Sequence, residues 1–574
     1  MKIREIIPVA LGDEMPDVLL KNLKFFNVFT NELEENNIAI YKKRIAGIGD
    51  YTEGKKVIDL DGKIVLPGFI DAHLHIESSM LAPRQFAKAV LPRGTTTVIA
   101  DPHEITNVLG IEGLKYMIES TEGIPLNVYI AVPSAVPATK NETSGAILGA
   151  EDIVGFVDNY PRRIIALGEV MNFPGVLEMD PELITKIEIL RHKYKKIDGH
   201  CPGLSGKKLN AYINAFIRSD HECSNADEAL EKVRRGMHIF IREGTAAKNL
   251  ESLVKAVNNF NYVNFSFCTD DRDPLDIIKE GHIDYLIKKS IKLGLDPFIA
   301  IKMATINPAK HFNLRSMGAI APGYKADLVV INNLEDFNVE MVFKDSKIVS
   351  EKGKLSVAME GIYHTLPEKV GIVNIPKITL EDLKIKDKGK KIRVIEMFEG
   401  LLETKELIKE PKIENGYIMS DIENDILKLL IVERHKGKNY SLGFVKGLSI
   451  KSGAVGTSIG HDSHNIGIVG TNDEDMILAL NEIKNMNGGI VVVKDKQIIS
   501  KMPLPIAGLM TDSEPEEAIK NLTELKNALK ILECEKDIFM TLAFVQLSVI
   551  PELKITDKGL VNVNTQEIVD IFSI

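Results

Sequence analysis

Two histidines one residue apart end the stretch Pro67-Gly68-Phe69-Ile70-Asp71-Ala72-His73-Leu74-His75-Ile76-Glu77, which follows the apolar run Lys63-Ile64-Val65-Leu66. On an extended strand alternate side chains share a face, so His73 and His75 are expected to point the same way. Two imidazoles on one face can bind one metal ion if further ligands arrive from elsewhere in the chain. By itself HxH is more readily a chance pair in a strand. The downstream residues decide.

Eight apolar runs each end in polar or metal-competent residues: Val65 to His75, Thr96 to His103, Asn127 to Ser134, Arg163 to Asn172, Lys196 to Cys201, Ala215 to Cys223, His238 to Thr245 and Val263 to Asp271. Helical stretches separate several of them. One runs from Asn225 to Arg235, with Asn225 suited to cap its start. Strand–helix alternation of this kind over residues 67–314 predicts an α/β chain whose centre is a (β/α)8 TIM barrel, where strand C-termini converge on one mouth. Those ends supply His73 and His75 from the first strand, Glu169 from the fourth, His200 from the fifth, His221 from the sixth and Asp270 from the eighth. Four histidines and two carboxylates suffice for two divalent ions with one bridging carboxylate. His238 begins its run and is at the wrong end for ligation.

The flanks have another texture. Short alternating runs between Asp17 and Leu66, and again at Gly318–Ile331 and Glu340–Asp345, predict one β-sandwich assembled from residues 1–66 and 315–366. Residues 367–574 read as a C-terminal α+β domain. It opens on a lysine-rich stretch (Lys384, Lys386, Lys388, Lys390, Lys391), expected to be a solvated linker or strand face.

A net charge of −10, with Lys and Arg scattered, excludes a nucleic-acid surface. The four cysteines show no CxxC spacing, which suits a reducing compartment. The first residues break their apolar run at Glu5 and make a poor signal peptide. With no run of about 18 apolar residues, no membrane span is expected. The protein is expected to be cytoplasmic, and a homodimer or higher homo-oligomer is the default.

The segments HIESSML, ADPHEITNVLG, ALGEVMNFPGV, DGHCPGLSG, SDHECS and FCTDDR together resemble the bacterial and archaeal adenine deaminase family of the amidohydrolase superfamily. The resemblance continues to Gly460-His461-Asp462-Ser463-His464-Asn465 and so covers nearly the whole chain. The NPA and PG segments at Asn307–Ala309 and Pro322–Gly323 alone are similar only to the superfamily. Many two-metal members bridge their ions with a carbamylated lysine on the fourth strand. This chain offers Glu169 there, as the adenine deaminase family does, which disfavours dihydroorotase-like and hydantoinase-like activities.

The resemblance implies adenine and water as substrates, with hypoxanthine and ammonia as products. Two ions sharing a hydroxide would lower its pKa and hold it against C6 of the base. His73, His75 and Asp270 are assigned to one ion, His200 and His221 to the other, and Glu169 to the bridge. Asp270 is expected to take the hydroxide's proton and pass it to the departing ammonia. Glu77, on the strand parity of His75, is the first choice for protonating N1 or contacting N1 and N7. Glu222 is the second choice, or else a partner that holds His221. Asp101 and His103, at the second strand's end, are expected to contact substrate, with a further metal or a plain loop role open for His103. The loop around Asp462 and His464 is expected to close over the mouth and touch the base. Ligand type suits Mn2+, Fe2+ and Zn2+ alike; the resemblance implies manganese or iron, with manganese first, and a place in purine salvage. His311 is expected at the barrel–sandwich junction, Arg84 in an ion pair, and His192, His282, His364 and His435 carry no role. Alternatives are an amidohydrolase acting on a cyclic amide or another aminated heterocycle, and a scaffold that has lost its chemistry. A nucleic-acid deaminase is disfavoured, because H-x-E…P-C-x-x-C is absent.

Overall fold

The computed structural model describes residues 2–357, 359, 371–398 and 401–573; the expected boundary at 366/367 and His364 lie outside the described residues. Eight parallel strands occupy Phe69–Leu74, Thr95–Ala100, Asn127–Val132, Ile164–Val170, Lys196–Gly199, Ser219–Asp220, His238–Arg242 and Phe265–Cys268. The first five form one sheet in chain order and the last three another. The seams between them are closed. Arg218 N donates to Ile197 O at 3.1 Å, and Asp270 N donates to His73 O at 3.1 Å beside a parallel bridge between Leu74 and Asp270. This is the expected (β/α)8 barrel.

Two runs differ from their sequence outlines. Val65 to His75 divides at Gly68, where a side chain would come within 2.2 Å of Thr96 Oγ1. Ile64–Pro67 pairs with Leu328–Ile331 in the sandwich, while Phe69–Leu74 enters the barrel. The sixth run is strand only at Ser219–Asp220, because the preceding helix Gly206–Asn214 extends to its start.

The pairing of Ile64–Pro67 with Leu328–Ile331 unites the two flanks. They share a seven-stranded sheet, and a four-stranded sheet from the N-terminal flank lies against it over Leu20, Phe25, Ile38, Ile40, Val65, Val330 and Phe343. The C-terminal region is an eight-stranded sheet covered by helices at Asp473–Asn485 and Pro515–Ile531. The lysines at 384, 386, 388, 390 and 391 are exposed.

The apolar segment around Leu504–Met510 is core and locks the C-terminal region onto the barrel. Thr511 N donates to Met80 O and Ala82 N to Thr511 O, both at 2.9 Å. Arg84 pairs with Asp512 across the same contact. His311 packs on His238, Phe240 and Phe312, in the plug that fills the barrel floor, a cluster that also takes in Met317 from the second flank. All four cysteines are free and buried, and among the described residues no helix is long and apolar enough to cross a membrane.

Candidate active site at the barrel mouth

Strand irregularities sit where the side chains must be aimed. The register of the first strand shifts between Asp71 and Leu74, and that of the fourth between Leu167 and Val170, flanking His73 and Glu169 respectively. Such bulges re-aim side chains beside functional sites. The first strand ends at Leu74, so His75 lies just beyond it, and Glu77 is on a 3-10 turn (Glu77–Ser79) rather than on strand parity with His75. Even so, the rings of His73 and His75 meet edge to face at 4.8 Å.

The structure brings all six strand-end residues together. Asp270 Oδ1 lies 3.6 Å from His73 Nε2 and 3.2 Å from His75 Nε2. Glu169 spans two sets: Oε1 is 3.6 Å from His75 Nε2, while Oε2 is 2.7 Å from His200 Nδ1 and 3.1 Å from His221 Nε2. Burial opposes a charge on Glu169, but His200 and His221 hold its carboxyl well below the usual range. Asp270 is likewise opposed by burial and held well down by Arg242 and the two histidines. Both carboxylates are therefore in the state a ligand needs.

Tautomers agree. His75 Nδ1 is 2.8 Å from the carbonyl of Asp101, which can only accept, so Nδ1 carries the proton and the Nε2 lone pair faces the carboxylates. His73 Nε2 is buried without a hydrogen-bond partner among the described residues. Leaving such an atom unpaired costs about 1–3 kcal/mol. The Nε2 atoms of His73 and His75, 3.2–3.6 Å from the ionised oxygens of Asp270 and Glu169, fit a divalent cation between them.

Glu222 is more constrained than the sequence implied. Arg242 grips it through both terminal nitrogens, with Nη2 to Oε2 at 2.8 Å, and also donates to Asp270 Oδ2 at 2.5 Å. Glu222 Oε1 still lies 3.6 Å from both His200 Nδ1 and His221 Nε2. This geometry favours holding the imidazoles over giving up a proton.

Around the metal-competent group lies a ring of further polar residues. Asp101 Oδ2 accepts from Glu169 N at 3.0 Å, an approach that requires Gly168, whose Cβ would fall 2.1 Å from that oxygen. His103 sits 3.7 Å from Asp101 Oδ1, 3.5 Å from Glu169 Oε1 and 3.6 Å from Asp462 Oδ1. Glu77 Oε1 accepts from Ile105 N at 3.3 Å, and its Oε2 is buried with no hydrogen-bond partner among the described residues. Burial pushes up the carboxyls of both Glu77 and Glu104. Ser78 Oγ stands 2.8 Å from Glu104 Oε1 and 2.5 Å from Asp271 Oδ1. Ser78 Oγ thus links the two carboxyls.

The C-terminal loop closes the ring from above. Ser463 Oγ donates to Glu142 Oε2 at 2.7 Å, and His435 Nε2 donates to Ser463 O at 2.8 Å. Asp462 and His464 are thereby buried at the mouth, 2% and 1% exposed.

The whole length of the chain aligns with known proteins. A family model described as the amidohydrolase family matches residues 64–349, and one described as the adenine deaminase C-terminal domain matches residues 402–567. The chain is 63% identical over 573 residues to a protein named adenine deaminase from Thermosipho africanus (strain TCF52B), with 100% of both chains covered. Proteins of the same name are 61% identical in Thermosipho melanesiensis, again with 100% of both covered, and 56% identical in Kosmotoga olearia, with 100% and 99% covered. The chain belongs to the adenine deaminase family.

Arg242, Ser78, Glu142 and His461 were not assigned from the sequence. For Arg242 the signal was present: it ends the strand His238–Arg242 at a mouth already crowded with acids. Glu142 had none, because it lies on a loop 321 residues from the Ser463 it holds.

Proposed function

We propose that this chain deaminates adenine hydrolytically to hypoxanthine and ammonia, with two divalent ions, manganese by preference, at the barrel mouth. The observation that carries the reading is Glu169, whose two oxygens face different imidazole sets, as a bridging ligand must. Full-length identity to proteins named adenine deaminase supports the choice of substrate.

His73, His75 and Asp270 would hold one ion, His200 and His221 the other, with Glu169 between. When bound, the ions would acidify a water enough to supply the nucleophile near neutral pH. Asp270, beside both histidines of the first strand, takes that water's proton and delivers it to the departing amine. Arg242 fixes the orientation of Asp270 and Glu222. Glu77, its carboxyl pushed up by burial, donates to N1 as charge develops on the ring, and Glu222 is kept for holding the imidazoles. Asp101 Oδ1 and His464 Nε2, both buried and without hydrogen-bond partners among the described residues, are suited to contact the base. His464 Nδ1 accepts from Gly460 N at 3.2 Å, so its Nε2 carries a proton and offers the base a donor.

The test is ammonia release from adenine by purified protein, before chelation, after it, and after Mn2+ reloading. Chelation abolishes turnover and reloading restores it. Glu169→Gln lowers it by roughly 10³-fold or more, the scale of several kcal/mol of lost transition-state stabilisation. Absence of release from adenine by metal-loaded protein overturns the substrate.

A further inference from the structure

A second group of metal-type donors lies between the second strand's end and the C-terminal loop, and it shares no residue with the six at the strand ends: His103, His461 and Asp462. His103 Nε2 stands 3.6 Å from Asp462 Oδ1, and His461 Nδ1 stands 3.9 Å from the same oxygen. Ligand atoms about 2.0–2.2 Å from one ion at tetrahedral angles lie roughly 3.3–3.6 Å apart. The observed spacings are close to that and longer than hydrogen bonds.

The three side chains are 5%, 3% and 2% exposed. His103 Nε2, one of the atoms so spaced, is nevertheless buried without a hydrogen-bond partner among the described residues, as are the second polar atoms of the other two side chains, His461 Nε2 and Asp462 Oδ2. Buried polar atoms ordinarily have partners, and one donor atom from each of these three residues lies within 4.8 Å of the others, which calls for an occupant. The group is also held in place. The His461 ring stacks on Phe544 at 4.4 Å and 9°, and its backbone N donates to Ala543 O at 3.0 Å. His464 is excluded as a ligand through Nε2, because the bond from Gly460 N fixes the proton there.

We propose that His103, His461 and Asp462 hold a third divalent cation, of the Mn2+, Fe2+ or Zn2+ class, which clamps the C-terminal loop to the barrel mouth. His103 comes from the barrel, and His461 and Asp462 from the C-terminal loop, so the cation cross-links two regions far apart in sequence. It gives His103 and Asp462 a role distinct from direct contact with the base.

The experiment is the metal content of the full chain after loading with excess Mn2+ and gel filtration. Wild type retains three equivalents; Asp462→Asn, nearly isosteric, and His461→Asn retain two. Glu169→Gln keeps one equivalent that Glu169→Gln/Asp462→Asn loses. Crystals of the loaded protein show anomalous density between His103 and Asp462. Two equivalents in wild type, unchanged in folded Asp462→Asn, overturn the proposal. None of these readouts depends on deamination, so failure here and failure of the substrate assignment are separable.

Discussion

At the barrel mouth His73, His75, His103, His200 and His221 face carboxylates at 2.7–3.7 Å, whereas at the floor His238 meets Ser266 Oγ at 2.7 Å and packs its ring on His311 at 4.6 Å. Both groups are buried, but His75, His103, His200 and His221 are raised above their ordinary value, whereas His238 and His311 are lowered; His73, pushed down by burial and by His221, sides with the floor. At the mouth, burial is the largest single influence on His221 and lowers its pKa, but Glu169, Asp270 and Glu222 together outweigh it and bring the value to about 9. At the floor, burial holds His238 well below its ordinary value and His311 at about 3. Asp198 lies 3.7 Å from His311, but burial pushes its own carboxyl up to about 6, so it offers little compensating charge. Burial is common to both ends. What raises those four mouth histidines above the floor pair is the ionised oxygen beside each.

The floor gives the largest test. His311 has a folded pKa of about 3 against an ordinary 6.5, so its contribution to stability is present above pH 6.5 and lost as pH falls towards 3. At about 1.4 kcal/mol per unit the full loss is about 5 kcal/mol. His311→Gln should flatten urea-derived stability between pH 6.5 and 3 relative to wild type, while leaving metal content unchanged. An unchanged acid slope breaks the contrast.

Arg242→Met should cost about 3–5 kcal/mol, because Glu222 and Asp270 are left buried without their cation. Added Mn2+ should recover part of that loss, since the ion neutralises Asp270. Thermal melts with and without Mn2+ check this. A melt that Mn2+ does not shift argues against cation binding at the strand ends.

Glu142 carries the smallest effect, with the sign opposite to that of His311. Its folded pKa is raised to about 7, chiefly by burial and then by Asp462, so its stabilising state is the protonated one. Its contribution is full below pH 4.5 and is lost as pH rises through 7, by about 3 kcal/mol. Glu142→Gln should match wild type near pH ~4 and exceed it at pH ~8 in chemical denaturation. Equal slopes for the two proteins remove Glu142 as a buried acid under the loop.

The strand ends were legible because the barrel's geometry turns position in sequence into position in space. Each of the six assigned residues lies near the end of an apolar run, and the six lie together at the mouth. The paired flanks were legible from alternation, and Ile64–Pro67 lies against Leu328–Ile331. The split at Gly68 was not legible, because one continuous apolar run serves two sheets and periodicity does not mark where backbone hydrogen bonds change partner.

The sequence by itself determined the barrel, the flank-built sandwich and the set of metal-competent side chains, since these follow from local periodicity and residue chemistry. Only the tertiary structure decided which oxygen faces which nitrogen, that Arg242 joins Glu222 to Asp270, and that a loop at Asp462 completes a mouth begun at His73. Those are distances between segments far apart in the chain, and they exist only once packing has fixed both.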